Sequence, residues 1–289
     1  MLAGLLVCLL GVSAVPAATN VACAGDSNTF GSGIPVSETY PAKLQRLLGP
    51  GYNVANYGAG GTTLLKSGDS PYWNSTAFMP SHGNPTPPDI VIIMLGSNDS
   101  KPQNWQFGSN FFSNYTELIA TYTNLPTHPR VLLCTPPPVY GSGAFSINPG
   151  IVATNIAPVV RLLGSDLGHE LIDLNARLAG HAEWFPDNVH PNISGTTVVA
   201  AIIYSALQGD TMNGAIPSLS LTLPSNNRAV LRWPAGGAGW VPQSASGLGG
   251  TNSWVVVFRP AISDGTSILC TNLIPAGGTA MFRLWRPAN

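Results

Sequence analysis

Residues 89–95, DIVIIML, constrain this chain more than any other stretch. Six successive apolar positions follow the Asp, and Gly96 closes the run. The segment is too short for a buried helix and lacks the alternation of a half-exposed strand, so it reads as a strand covered on both faces. Covering both faces requires helices above and below a parallel sheet. The flanking sequence supplies them. Strands are expected at 20–25, 52–57, 130–135 and 171–174, and helices at 40–48, 111–124, 151–167 and 194–207. Pro158 predicts a kink in the third of these helices. The alternation predicts a three-layer α/β/α domain with a parallel sheet.

The pattern changes near Gly209. Short alternating runs follow at 219–223, 229–233, 253–258, 267–269 and 280–285, separated by Gly-, Pro- and Ser-rich turns. They predict a small all-β domain over 217–289, joined by a linker at 210–217 to the α/β domain over 18–210. Residues 2–15 are almost wholly apolar, and small residues follow at Ala14, Ala17 and Ala18. That pattern reads as an export signal over 1–17, cut after Ala17. A buried first strand or a short anchor is the alternative, although the run is short for a membrane span. Secretion to the periplasm, cell surface or medium is the expectation, with no stable membrane insertion once the signal is removed.

Charge excludes some functions. Charged residues make up 9% of the chain and the net charge is -1, with no basic cluster for nucleic acid. The histidines at 82, 128, 169, 181 and 190 form no HExxH or paired-Cys arrangement, so neither a metal nor any other cofactor is expected. Cys23 and Cys134 sit in apolar strands and read as small core residues, with no disulfide required. No GxSxG, P-loop or strand-borne GxGxxG occurs.

Four polar motifs lie where the expected strands end, the edge at which open α/β sheets bind ligands. They are Gly25-Asp26-Ser27-Asn28-Thr29, the loop from Asn56 to Thr62, Gly96-Ser97-Asn98-Asp99, and Asp187-Asn188-Val189-His190. Singly, each has a bland reading. Ser27 could cap a helix, Asn98 could form a turn, and Asp187 with His190 could be a surface pair. Together, in this order, they resemble the four blocks of the SGNH/GDSL hydrolases, a family of serine esterases. The resemblance covers about 19–208 and implies a flavodoxin-like fold there; the first block reads GDSNT where the family name has GDSL.

The resemblance implies Ser27 as nucleophile, His190 as its base and Asp187 as the group that orients the imidazole. A serine hydroxyl needs such a base, and an imidazole titrates near neutrality. It also implies an oxyanion hole built from the Ser27 N–H, the Gly61 N–H and the Asn98 side chain. Gly61 is preferred to Gly58 and Gly60 by its place in the family pattern. Asp26 and Asp99 are expected to brace neighbouring loops.

The substrate is less defined. Residues 64–88 and 95–105 look similar to bacterial polysaccharide O-deacetylases, which implies an acetylated carbohydrate as partner. Trp73, Trp105 and Trp184 lie in loops near the expected site, where their rings could stack on sugar or cover the core. A lysophospholipase or thioesterase of the same superfamily is the alternative activity, and a non-catalytic carbohydrate-binding surface protein is the non-enzymatic one. The C-terminal region is similar to β-sandwich modules appended to secreted glycan-processing enzymes.

Overall fold

The computed structural model describes residues 17–83, 86–208, 217–225, 227–235, 239–246, 254–257, 261–274 and 280–286. Residues 1–16 of the export segment expected at 1–17, and most of the linker, lie outside them. Five strands form the N-terminal sheet: β1 (Thr19–Gly25), β2 (Tyr52–Gly58), β3 (Ile90–Met94), β4 (Arg130–Cys134) and β5 (Glu170–Ile172). All pair in parallel in the order β2-β1-β3-β4-β5. The order reverses between β1 and β3, and a crevice opens at such a switch point.

Alternate side chains of the three inner strands enter two separate cores. Val21, Cys23, Ile92, Met94, Leu132 and Cys134 face one side. Ala22, Ala24, Val91, Ile93, Val131 and Leu133 face the other. Both cores are capped by helices, which explains why residues 90–95 carry no polar alternation. The first is covered by α2 (Tyr40–Leu48) and α5 (Ile193–Gln208), the second by α3 (Phe111–Thr123) and α4 (Ala157–Leu167); α1 (Ser27–Phe30) is one turn directly after β1. The helix expected over 151–167 is broken differently from a simple kink. A π turn spans Val152–Ile156, and Pro158 sits in the first turn of α4. Proline has no N–H for the carbonyl four residues back, so the ladder changes register ahead of it.

The C-terminal region is antiparallel. β6 (Ser220–Ser225), β7 (Arg228–Pro234), β8 (Val241–Ala245), β9 (Val255–Val256), β10 (Ala261–Ser263), β11 (Ser267–Leu273) and β12 (Met281–Trp285) form two sheets, ordered β10-β11-β7-β6 and β12-β8-β9. β8 and β10 were not expected from the sequence. Its described residues form no separate apolar cluster. Leu231, Trp233, Val241, Val256, Ile268 and Cys270 belong to the same apolar cluster as α2 and α5. A side chain at Gly239 would touch Ser205 on α5. Trp285 packs edge-on against Trp184 at 5.7 Å and His181 at 5.4 Å, in the loop that precedes Asp187. Cys23 and Cys134 are free thiols, and Cys23, Cys134 and Cys270 are all buried. No described helix is long and apolar enough to cross a membrane.

Candidate active site

The loops that leave β1, β2 and β3 meet at the switch point, and each is tied to its neighbours. Ala59 N donates to the Gly25 carbonyl, and Asp26 N to that of Met94. Asp26, not Ser27, caps α1: its Oδ1 accepts from Asn28 N at 2.9 Å. The Ser27 hydroxyl is therefore not spent as a cap. Its N–H is among those that a helix start leaves without an intrahelical partner. Asn28 Nδ2 reaches Ser97 Oγ at 3.3 Å, joining the first block to the third.

Asn98 follows β3 and is 3% exposed. Its Nδ2 donates to the Thr62 carbonyl at 3.1 Å, beside Gly61. An amide NH2 carries two hydrogens, so the second remains for a ligand. Gly61 has φ +80°, a conformation that favours glycine, and the space a Cβ would occupy there is open. Asp99 is buried and accepts from the Leu64 and Leu65 amides at 3.0 and 2.7 Å, which pins the chain just beyond Gly61. Burial pushes its carboxyl up to about 7 against those two hydrogen bonds. Burial likewise raises Asp26 above its ordinary value, outweighing the bonds it accepts from Asn28 and the pull of His190.

The fourth block arrives from the far side of the sheet. Asn188 takes φ +70° within a tight turn, and Asp187 Oδ1 accepts from the Val189 and His190 amides at 3.0 and 2.6 Å. Asp187 Oδ2 lies 2.6 Å from His190 Nδ1, and His190 Nε2 lies 2.9 Å from Ser27 Oγ. Burial works to raise the Asp187 carboxyl, but the donors from His190 and Val189 prevail and hold it below its usual value. An ionised carboxylate only accepts, so Nδ1 carries the imidazole proton and Nε2 faces the serine hydroxyl as acceptor. The His190 side chain is 14% exposed and that of Asp187 38%. The structure thus brings Ser27, Asp187 and His190 into one relay, and Asn98 and Gly61 to adjoining loops. Such an arrangement can withdraw a proton from a serine and hold it for a leaving group.

A profile of the GDSL-like lipase/acylhydrolase family matches residues 23–198, which takes in all four blocks. The chain belongs to that family. An acetylxylan esterase of Xylanibacter ruminicola is 36% identical over 211 residues, 66% of this chain. That stretch is 43% of the relative, so the chain spans less than half its length. A protein assigned as an arylesterase from Agrobacterium tumefaciens str. C58 is 26% identical, with a TM-score of 0.55 over 66% of this chain and 98% of its own. A carbohydrate acetylesterase family member from Sinorhizobium meliloti shares the fold at 24% identity, with a TM-score of 0.54 over 66% of this chain and 97% of its own.

Of the two roles open to the three Trp residues, the structure shows packing on the core. Trp184 is 5% exposed, with one face stacked on His181 at 3.9 Å and Trp285 at its edge; it joins the two regions of the chain and offers no surface to a sugar. Trp73 is half-buried, donates Nε1 to the Leu64 carbonyl at 2.8 Å and lies under the Lys66 ammonium. Trp105 is half-buried over Gly108 and against Phe111. These two rings pack on the second core. The ring that reaches the relay is Phe145, 5.3 Å from the His190 imidazole and 61% exposed. No motif marks it. Its signal in the sequence is an aromatic residue in the Gly- and Ser-rich loop 141–146 after β4. A cavity of about 340 Å³, lined by Asn20, Gln45, Asn53 and Ser81 among others, lies toward the opposite end of β1 and takes no part in the site.

Proposed function

We propose that this chain is a secreted serine esterase that hydrolyses short-chain acetyl esters, with O-acetyl groups on carbohydrate as its substrates. The observation that carries the esterase reading is the position of His190, within hydrogen-bond reach of both Ser27 and Asp187. Ser27 Oγ attacks the ester carbonyl as its proton passes to His190 Nε2. The carbonyl oxygen becomes an oxyanion, received by the Ser27 and Gly61 N–H groups and Asn98 Nδ2. Asp187 stabilises the imidazolium. The intermediate collapses, the C–O bond to the alcohol breaks, and the alcohol oxygen takes the proton from His190. Water then attacks the acetyl-serine by the same route, releasing acetate and restoring Ser27.

The carbohydrate reading draws on the acetylxylan esterase of Xylanibacter ruminicola. Export rests on the apolar run 2–15. The chemistry is assigned to residues 18–210, with the β region 217–289 as an accessory that closes the apolar face of α2 and α5. Acetate release across acetylated xylans, pectins and oligosaccharides, beside acyl esters of increasing length, tests the reading. Release from at least one glycan, with rates that fall as the acyl chain lengthens, is expected. A preference for octanoyl or longer esters would replace it with a lipase-like activity.

A further inference from the structure

We propose that Phe145 is a specificity-determining residue that stacks on the sugar ring carrying the acetyl group, a role that rests on the esterase reading above.

Three observations carry it. First, the loop after β4 is fixed to two of the catalytic blocks. Tyr140 N donates to the Asn188 carbonyl at 2.9 Å, and Asn148 N donates to Ser100 Oγ at 3.0 Å. Between these ties, Ile147 is buried with Val189 and Val152 in a small apolar cluster of its own. Secondly, the chain pays for the placement in backbone conformation: Phe145 and Ser146 hold φ +54° and +63° in succession, a region that non-glycine residues rarely occupy. Such outliers persist where the surroundings enforce them and gather at ligand-binding sites. Thirdly, this enforced loop does not bury the aromatic ring. It leaves Phe145 61% exposed, tilted 55° against the His190 imidazole at 5.3 Å. A large apolar side chain gains little by folding into that position, so the gain must come from something that binds there.

The chemistry of the relay says which part of an ester that is. His190 Nε2 returns its proton to the leaving alcohol, so the alcohol oxygen must lie beside His190. The carbonyl oxygen points the other way, to Gly61 and Asn98. The group next to Phe145 is therefore the alcohol. The C–H bonds on one face of a pyranose suit the electron-rich face of an aromatic ring.

The experiment compares Phe145→Ala and Phe145→Tyr with the parent enzyme on an acetylated methyl xyloside, phenyl acetate and ethyl acetate. Phe145→Ala is expected to lose about tenfold in kcat/KM on the xyloside, carried by KM, and to stay within about twofold on ethyl acetate. Phe145→Tyr should keep the parent preference. Phe145→Gly, which suits a positive φ, should fold and lose the same preference, separating the ring from the backbone. Equal losses on xyloside and ethyl acetate would mean that the ring only props His190, and an unchanged xyloside rate would mean that the sugar binds elsewhere; either overturns the proposal. If the parent enzyme hydrolyses phenyl and ethyl acetate but no sugar ester, the carbohydrate reading fails. The proposal is then overturned as a sugar contact, and a selective loss on phenyl acetate would leave Phe145 only an alcohol-side wall.

Discussion

Replacing Trp233 by Ala should destabilise the catalytic domain as well as the β region. Trp233 lies on β7 at 1% exposure, and its cluster includes Leu44 and Leu47 on α2 and Val199, Ile202 and Ile203 on α5. Its Nε1 has no hydrogen-bond partner among the described residues, so truncation breaks no hydrogen bond seen there. A fully buried Trp→Ala change costs about 3–5 kcal/mol. For a chain of this size each kcal/mol moves Tm by roughly 2–4 °C, so a fall of roughly 6–20 °C is expected. Calorimetry together with residual activity on a soluble aryl acetate measures it. A shared core predicts one cooperative transition, displaced downward, with activity lost along it. Two transitions, the earlier one leaving activity intact up to the parent Tm, would refute the reasoning and make the β region an independent unit.

Asn98→Ala should lower kcat by roughly 10²–10³ with little change in KM, because the donor acts on charge that develops in the transition state; an unchanged kcat would reduce Asn98 to a brace for Thr62. Asp187→Asn should cost about 10⁴ in kcat at unchanged fold, since an amide does not hold the required tautomer, and a loss under tenfold would contradict the relay. Asp99 titrates higher in the fold than in the unfolded chain, at about 7 against 3.8. The fold therefore binds that proton more tightly; the stabilisation is complete below the unfolded value and is lost as pH rises through about 7. Relative to Asp99→Asn, the parent should lose on the order of a few kcal/mol between pH 4 and pH 8 in denaturant titrations. A flat difference would place the carboxylate in a better-solvated site.

Much of this was legible from local pattern. Residues 90–95 announce a doubly covered strand because both neighbouring layers demand apolar side chains. The four polar blocks fall at strand ends because that is where a parallel sheet exposes its loops. The relay was legible through the family resemblance that the four ordered blocks carry; the one-turn spacing accounts only for the pairing of Asp187 with His190. What escaped depends on distant contacts. Trp184 sits in a loop near His190, and its burial draws on His181 against one face and Trp285 brought up from the far end of the chain. The shared core left one signal in the sequence: α2 is ordinarily amphipathic, but residues 198–204 of α5, VVAAIIY, are apolar and buried all round, as a helix covered on more than one side requires. β8 contains Pro242 and β10 is three residues long, so neither carries a clear alternation. Phe145 is placed by a left-handed backbone at two non-glycine residues, which composition does not foretell.

The central claim is that Ser27 becomes the acyl-enzyme residue. An active-site-directed fluorophosphonate, followed by peptide mass mapping, tests it most directly. One label at Ser27 is predicted, abolished in Ser27→Ala together with a loss of roughly four or more orders of magnitude in kcat, since triad members act as a unit. Labelling at another serine, or undiminished turnover by Ser27→Ala, would contradict the account.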